Sequence, residues 1–525
     1  MNPQPPVTRR RIAARTSSAD GGALADFPIL RDQLAAWKSR LVETGWTPWL
    51  ILGLAVFLRF FLLGIKPPHF DEGINGWFVD QMVKNGFYRY DPTNYHGPLH
   101  FYVLLLSQTL LGRNVWALRL PVVLVSVSCV WLALKFEPLI GRSASRIAAL
   151  AMAVSPGFIF YGRYSIHEVW LVLFSMMFIL GLLGLWKFGT VNYLWCAGMG
   201  VAGMILTKET YIIHLGCAML AIPVLMVSNA LNRLPDARPT RQTWDYLDLA
   251  MVIGACIAVI VFFYSGTFFH WSGVKGLYEA YMSPSLKLGR ADCFGYELPA
   301  VAGLILCLFC QSFKNISLRY LAIYGVGALI AYSIVRYKTP WCIINIAWPF
   351  LFIFGAAVLL VRPKFRRTTS AISAILLCVS LGSAIWLNYF RCTTDTEPYV
   401  YVQTYNDIFK LTKPLLKLAK QDPRNYQLTG HMIRSSVYPL PWILGDFPNV
   451  GYYEHENLPE KIDADFLLVQ KNRIKEVESK LRNNYYTEPL TIRNYQDTSK
   501  LYLSAKIFKE FFPDRPPDFV GKGSG

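Results

Sequence analysis

PPHFDEGINGWFVDQMVKNGFYRYDPTNYHGP, residues 67–98, is a polar stretch set between two apolar runs, one ending near Ile65 and the next starting at Leu99. Its centre is the adjacent acidic pair Asp71 and Glu72. Neighbouring carboxylates repel, so one of the two is expected to carry a raised pKa or to have a cationic partner. Pro67, Pro68 and His69 predict a rigid entry and a helix that starts near Asp71. Both acids then fall in the first turn, where the helix dipole favours negative charge. Gly73 and Gly76 predict a backbone that a substrate can approach closely. Read without any function, the stretch is a capped juxtamembrane helix.

The composition says which membrane protein class this loop belongs to. Of 525 residues, 53% are hydrophobic and only 16% charged, against about 25% charged in soluble domains. The mean hydropathy is +0.31. A net charge of +18 would suit nucleic acid, but the cations sit in short loops between apolar runs, as in cytoplasmic loops of polytopic proteins. The partner implied is a lipid bilayer, with no nucleic acid. Most cysteines (Cys129, Cys196, Cys217, Cys256, Cys307, Cys310, Cys378) lie inside apolar runs and read as small buried residues. Only Cys293 and Cys392 fall plainly in outer segments, where a bridge between them is allowed.

Outward from the loop, apolar runs occupy 49–65, 118–136, 147–164, 169–188, 193–206, 211–228, 249–270, 298–312, 320–335, 342–361 and 371–390. That predicts about eleven transmembrane helices, each needing about 20 apolar residues. The run 99–111 is too short to cross and is read as an interfacial helix. With the N-terminus inside, this count places Arg142, Arg146, Arg233, Arg238, Arg241, Lys314, Arg319, Arg362, Lys364, Arg366 and Arg367 in the cytoplasm. Counting 99–111 as a span would put those charges outside, against the positive-inside rule. The same count brings Asp71, Glu72, Arg163, His167, Glu168, Lys208, Glu209, Arg336 and Lys338 to the outer side.

The expected architecture is an all-α polytopic membrane domain followed by a small extracytoplasmic α/β domain. Residues 1–46 form a basic cytoplasmic segment with an amphipathic helix near 29–42. Residues 47–390 form the membrane domain, with the outer loop 66–98. Residues 391–520 form the soluble domain, with a helix over 403–420, strands at 426–429, 466–469, 490–493 and 501–505, and a helix over 471–481. Residues 521–525 read as a tail. The chain is placed in a prokaryotic inner or plasma membrane, with its C-terminal domain periplasmic or extracellular.

Three outer turns bear cations and face the acidic pair. They are the Arg163-Tyr164-Ser165-Ile166-His167-Glu168 turn, the Lys208-Glu209 turn and the Arg336-Tyr337-Lys338 turn. Arg and Lys can hold phosphate oxygens while a carboxylate takes a proton from a hydroxyl. The plainer alternative is cations snorkelling to lipid headgroups.

HFDEG (69–73), YHGPLHFY (95–102), SPGFIFYGRYSIHE (155–168), LTKE (206–209) and YKTPW (337–341) follow in an order that resembles the GT-C superfamily of membrane glycosyltransferases. The chain is most similar to its protein O-mannosyltransferases, lipid A aminoarabinose transferase and flippase-activity-associated group, over roughly 49–361. The segment 438–453 resembles the last of these.

The resemblance implies a polyprenyl-phosphate sugar donor and an extracytoplasmic acceptor (protein, lipid or glycan). It implies Asp71 as general base of an inverting transfer, and Glu72 as a supporting acid or an organiser of the site. Arg163, Lys208 and Lys338, with Arg336 beside them, become candidate phosphate contacts. His96, His167, Glu168 and Glu209 become candidate sugar or acceptor contacts. No cofactor is required by these residues, although some relatives imply a divalent cation on Asp71. Two other functions fit the same features: translocation of a lipid-linked glycan without transfer, and an assembly scaffold.

Overall fold

The computed structural model describes residues 45–94, 96–232, 240–282, 296–334, 339–454, 457–494 and 496–522. Residues from Ile51 onward form one compact unit. The expected helix over 29–42 lies outside the described residues, as do Cys293, Arg336 and Lys338.

The first helices in order are α1 (Thr47–Phe60), α2 (Phe70–Asn85), α3 (Leu99–Leu111), α4 (Val115–Lys135), α5 (Arg142–Val154), α6 (Pro156–Tyr161), α7 (Glu168–Phe188), α8 (Val191–Ile205), α9 (Tyr211–Leu231) and α10 (Tyr246–Tyr264). After them come α11 (Ser272–Met282), α12 (Leu298–Leu306), α13 (Ile316–Ile334), α14 (Cys342–Gly355) and α15 (Arg366–Ile385). Among the described residues six helical stretches are long and apolar enough to cross a membrane: Val115–Ile140, Glu168–Phe188, Tyr211–Leu231, Tyr246–Tyr264, Ile316–Ile334 and Pro363–Phe390. Thr47–Phe60, Leu99–Leu111, Val191–Ile205, Leu298–Phe309 and Cys342–Gly355 are shorter apolar helices.

The expectation of about eleven spans is thus met in part, and one of them is corrected. The run 147–164 is not one helix. It breaks between α5 and α6 at Ser155, whose side chain caps α6 by accepting from the Phe158 amide, with Pro156 in the first turn. Proline is tolerated there because its missing N–H has no helical partner in any case.

Two buried guanidinium groups fasten the end of α1. Arg59 donates to Ser126 Oγ at 2.7 Å and to the Met152 and Ala153 carbonyls at 3.1 Å. Arg163 donates to the Leu58 and Leu62 carbonyls at 3.4 and 2.7 Å and lies over the Tyr389 ring. Carbonyls at a helix end lack partners within the helix, so these bonds satisfy groups that would otherwise be orphaned.

After Phe390 the chain builds a five-stranded sheet in the order β2-β1-β3-β5-β4. The strands are β1 (Gly430–Ile433), β2 (Val450–Tyr453), β3 (Phe466–Val469), β4 (Tyr485–Leu490) and β5 (Ser499–Ser504). β1 runs parallel to β2 and β3, while β5 is antiparallel to β3 and β4. The α16 helix (Phe409–Gln421) buries Leu411, Leu415 and Leu418 in the sheet's core.

The strand expected at 426–429 is displaced, because 423–427 forms a 3-10 turn and pairing starts at Gly430. The strand expected at 490–493 is also misplaced. Pairing ends at Leu490 in β4, an edge strand that carries Pro489. An edge is where a strand proline is tolerated.

This sheet domain docks directly on α2. A Cβ on Gly73 would stand 2.4 Å from Pro439 Cα, and one on Gly76 would stand 2.4 Å from the Trp442 ring. The two glycines therefore admit Pro439 and the Leu440–Ile443 turn of the sheet region, where the sequence suggested a substrate. Arg113, at the end of α3, ties the contact by donating to Asp80 at 2.8 Å, to Asp446 at 3.5 Å and to the Trp442 carbonyl.

Candidate functional site

The acidic pair separates into two carboxylates with different environments. His69 is the N-cap of α2. Its Nδ1 accepts from the Asp71 amide, and its own amide donates to Glu72 Oε2 at 2.8 Å. The Tyr401 carbonyl takes the Nε2 proton at 2.7 Å, which leaves Nδ1 bare to accept.

Glu72 is fully buried and faces Arg119, also fully buried, in a two-point contact of 2.8 and 2.7 Å. It accepts a further bond from the Ser165 amide at 2.9 Å. Burial alone would raise this carboxyl, but the guanidinium and the N–H donors outweigh it and hold the group below its ordinary pKa. Arg119 spends its other protons on the carbonyls of Leu63, Lys66 and Pro67. One ion pair thus fixes the chain between α1 and α2.

Asp71 has no such partner among the described residues. Among the described residues its carboxylate accepts no hydrogen bond, and its side chain is 29% exposed. His69 Nδ1 stands 3.8 Å from Asp71 Oδ2. Burial raises the Asp71 carboxyl above its ordinary pKa, and so does Glu168; His69, Lys208 and Arg493 pull the other way. A helix start thus presents one unpaired carboxylate in a recess, next to a second carboxylate that is structurally spent.

The walls of the recess come from distant parts of the chain. Lys208 forms an ion pair with the buried Glu168. Burial would lower Lys208, but the Glu168 carboxylate overrides it and raises the ammonium. The Lys208 backbone pairs with that of His96. The His96 ring lies 4.3 Å from that of His167, which lies 4.4 Å from that of His100. His100 Nε2 is 3.2 Å from Ser165 Oγ. Burial and the Lys208 charge push His96 down to about 3, and burial likewise lowers His167, so these imidazoles are neutral at physiological pH. Glu209 accepts from the Tyr90 hydroxyl at 3.0 Å, and burial pushes it up to about 7.

The structure therefore gathers Asp71, Glu168, Lys208, His96 and His167 on one end of the helical bundle, with Glu72 beneath them. Arg163 is directed to the α1 carbonyls instead. Sequence reading passed over three contributors. Arg119 had a signal, since a charge within an apolar span is costly and has a partner or a task. His100 lies in the quoted 95–102 motif without being singled out. Arg493 had none. It comes from the soluble domain, stacks on Phe70 at 4.0 Å and donates to Ser436 Oγ.

Among the described residues no three His, Cys, Asp or Glu side chains are grouped to hold a metal ion. Glu72 and Glu168 are already committed to Arg119 and Lys208. Further along α2, a cavity of about 500 Å³ is lined by Trp77, Gln81, Asn85, Tyr90, His270 and Glu279, among others.

Comparison with known proteins places this geometry in a family of folds. Residues 95–264 match the family described as dolichyl-phosphate-mannose-protein mannosyltransferase. The crystal structure of ArnT from Cupriavidus metallidurans bound to undecaprenyl phosphate superposes with a TM-score of 0.58 at 14% identity, covering 88% of this chain and 99% of that one. The chain has the GT-C glycosyltransferase fold. A second GT-C structure, the archaeal oligosaccharyltransferase AglB from Archaeoglobus fulgidus with an inhibitory peptide and a dolichol-phosphate, matches with a TM-score of 0.50 at 11% identity, over 84% of this chain and 72% of that one. Comparison with curated protein sequences gives no match.

Proposed function

We propose that this protein is a membrane glycosyltransferase that moves a sugar from a polyprenyl-phosphate donor to an extracytoplasmic acceptor, with inversion at the anomeric carbon. The observation that carries the reading is the unpaired Asp71 carboxylate at the start of α2, in a recess walled by the Lys208–Glu168 pair. The lipid phosphate in the ArnT structure supports the donor class.

Asp71 is the general base. It removes the proton of an acceptor hydroxyl as the oxygen attacks the anomeric carbon from the face opposite the phosphate. The bond from sugar to phosphate oxygen breaks, and its electron pair leaves with the lipid phosphate. The raised pKa of Asp71 suits this task, because a base works best with a pKa close to the operating pH. Glu72 keeps Asp71 in place by fixing the helix start through Arg119. Lys208 contacts the donor phosphate, and Arg336 and Lys338 remain candidates for it by their position in the sequence. His96 and His167, as neutral imidazoles, donate to or accept from sugar hydroxyls. The cavity along α2 begins about 9 Å from Asp71, six residues at about 1.5 Å each, and gives room for the acceptor.

The test is a transfer assay with purified protein and labelled undecaprenyl-phosphate mannose. Wild-type transfer that persists in Asp71→Asn would overturn the assignment of the base. Lipid transport without sugar transfer by the wild type would replace the transferase with a translocator.

A further inference from the structure

Arg493 is the one guanidinium that the soluble domain sends toward the acidic pair, and its setting is incomplete. The residue is 7% exposed. One nitrogen, Nη2, bonds Ser436 Oγ. The group lies over the ring of Phe70, the residue before Asp71, at 4.0 Å. Its Nη1 is buried and has no hydrogen-bond partner among the described residues. A buried guanidinium N–H without an acceptor is expensive, and among these residues Asp71 comes within electrostatic reach of it without closing an ion pair. Lys208 is balanced by Glu168 and Arg119 by Glu72.

We propose that Arg493 is an anion-binding residue for the departing lipid phosphate, supplied to the membrane site by the soluble domain. This rests on the transferase reading above. During transfer the acceptor proton moves to Asp71, the new bond forms between acceptor oxygen and anomeric carbon, and the phosphate oxygen keeps the electron pair of the bond that breaks. One unit of negative charge therefore passes from Asp71 to the phosphate. Arg493 faces the region that spans both. As Asp71 is neutralised, the guanidinium loses the carboxylate within its electrostatic reach, and the unpartnered Nη1 meets a phosphate that has gained charge. An interaction that strengthens as charge develops lowers the barrier, while one equally strong throughout does not. Phe70 and Ser436 hold the planar group in place, so it need not reorganise when the charge shifts. The docking of the Leu440–Ile443 turn on Gly73 and Gly76 fixes the domain that carries it.

The test uses full-length protein in nanodiscs with two probes, undecaprenyl monophosphate and undecaprenyl-phosphate mannose. Arg493→Gln is expected to weaken monophosphate binding by at least tenfold more than it weakens binding of the mannose diester. Turnover should fall by about 10²–10³-fold, the scale of losing one preorganised donor, with a small change in the donor KM. Arg493→Lys should restore part of both, because it keeps the charge and loses the fork; it also serves if the Gln variant does not fold. Two results would overturn the proposal. One is wild-type binding and turnover in Arg493→Gln. The other is equal loss of both probes together with a lowered melting temperature, which is the mark of a purely structural residue. Absence of sugar transfer by the wild type would count against the transferase reading alone, because the monophosphate titration reports on Arg493 without turnover.

Discussion

Asp71 and Glu72 are neighbours in sequence, and their divergence rests on Arg119 with the His69 and Ser165 amides, which all reach Glu72. The expectation that one acid would gain a cation or a raised pKa holds in both senses. Glu72 has the cation, and Asp71 has the raised pKa. Asp71→Asn keeps size and loses the proton acceptor. Turnover should fall by about 10²–10⁴-fold while the donor still binds, as read by transfer kinetics alongside lipid titration. Glu72→Gln should act on the fold. It leaves Arg119 buried without a counter-charge, at a cost of about 3–5 kcal/mol, and the double variant Glu72→Gln/Arg119→Met should recover part of the lost melting temperature. Glu209 gives a pH signature. Its folded pKa of about 7 lies above the unfolded value of about 4.3. Between those values the folded state holds a proton that the unfolded state has released, so stability falls as pH rises through that window. Thermal melts of wild type against Glu209→Gln from pH 4.5 to 7.5 should show this decline in the wild type and its removal in the variant.

At the scale of elements, α2 serves two masters. Its first turn carries the carboxylate proposed as the base, and the face marked by Gly73 and Gly76 receives the Leu440–Ile443 turn. Gly76→Ala places a Cβ 2.4 Å from the Trp442 ring, and overpacking of this kind costs about 1–3 kcal/mol. The expected result is faster proteolytic release of the C-terminal domain and reduced transfer, with the helical bundle intact by circular dichroism. A variant with wild-type proteolysis and activity would show that the domain contact does not matter to the site. The segment after the last membrane helix contributes too. Tyr401 and Gln403 take and give hydrogen bonds to His69 and Pro67, so the entry to α2 is set from both ends of the chain.

Over the whole molecule, the direction of insertion expected from the positive-inside rule is open to direct measurement. A cysteine at Asn449, exposed beside β2, should react with a membrane-impermeant maleimide in spheroplasts; one at Ser143, in the basic first turn of α5, should not. The reverse labelling would invert the topology.

The sequence by itself determined the class of fold, because apolar length and the scarcity of charge follow from the bilayer as solvent. It also determined the helix start at the acidic pair, because a proline-rich entry followed by acids in a first turn is a local signal. Only the tertiary structure decided which carboxylate is free, because Arg119 and Ser165 reach Glu72 from 47 and 93 residues away. It decided likewise that the two glycines receive Pro439 and Trp442, and that Arg493 arrives from the sheet domain. Such contacts depend on how elements with no local sequence relation pack, and no period or spacing along the chain encodes them.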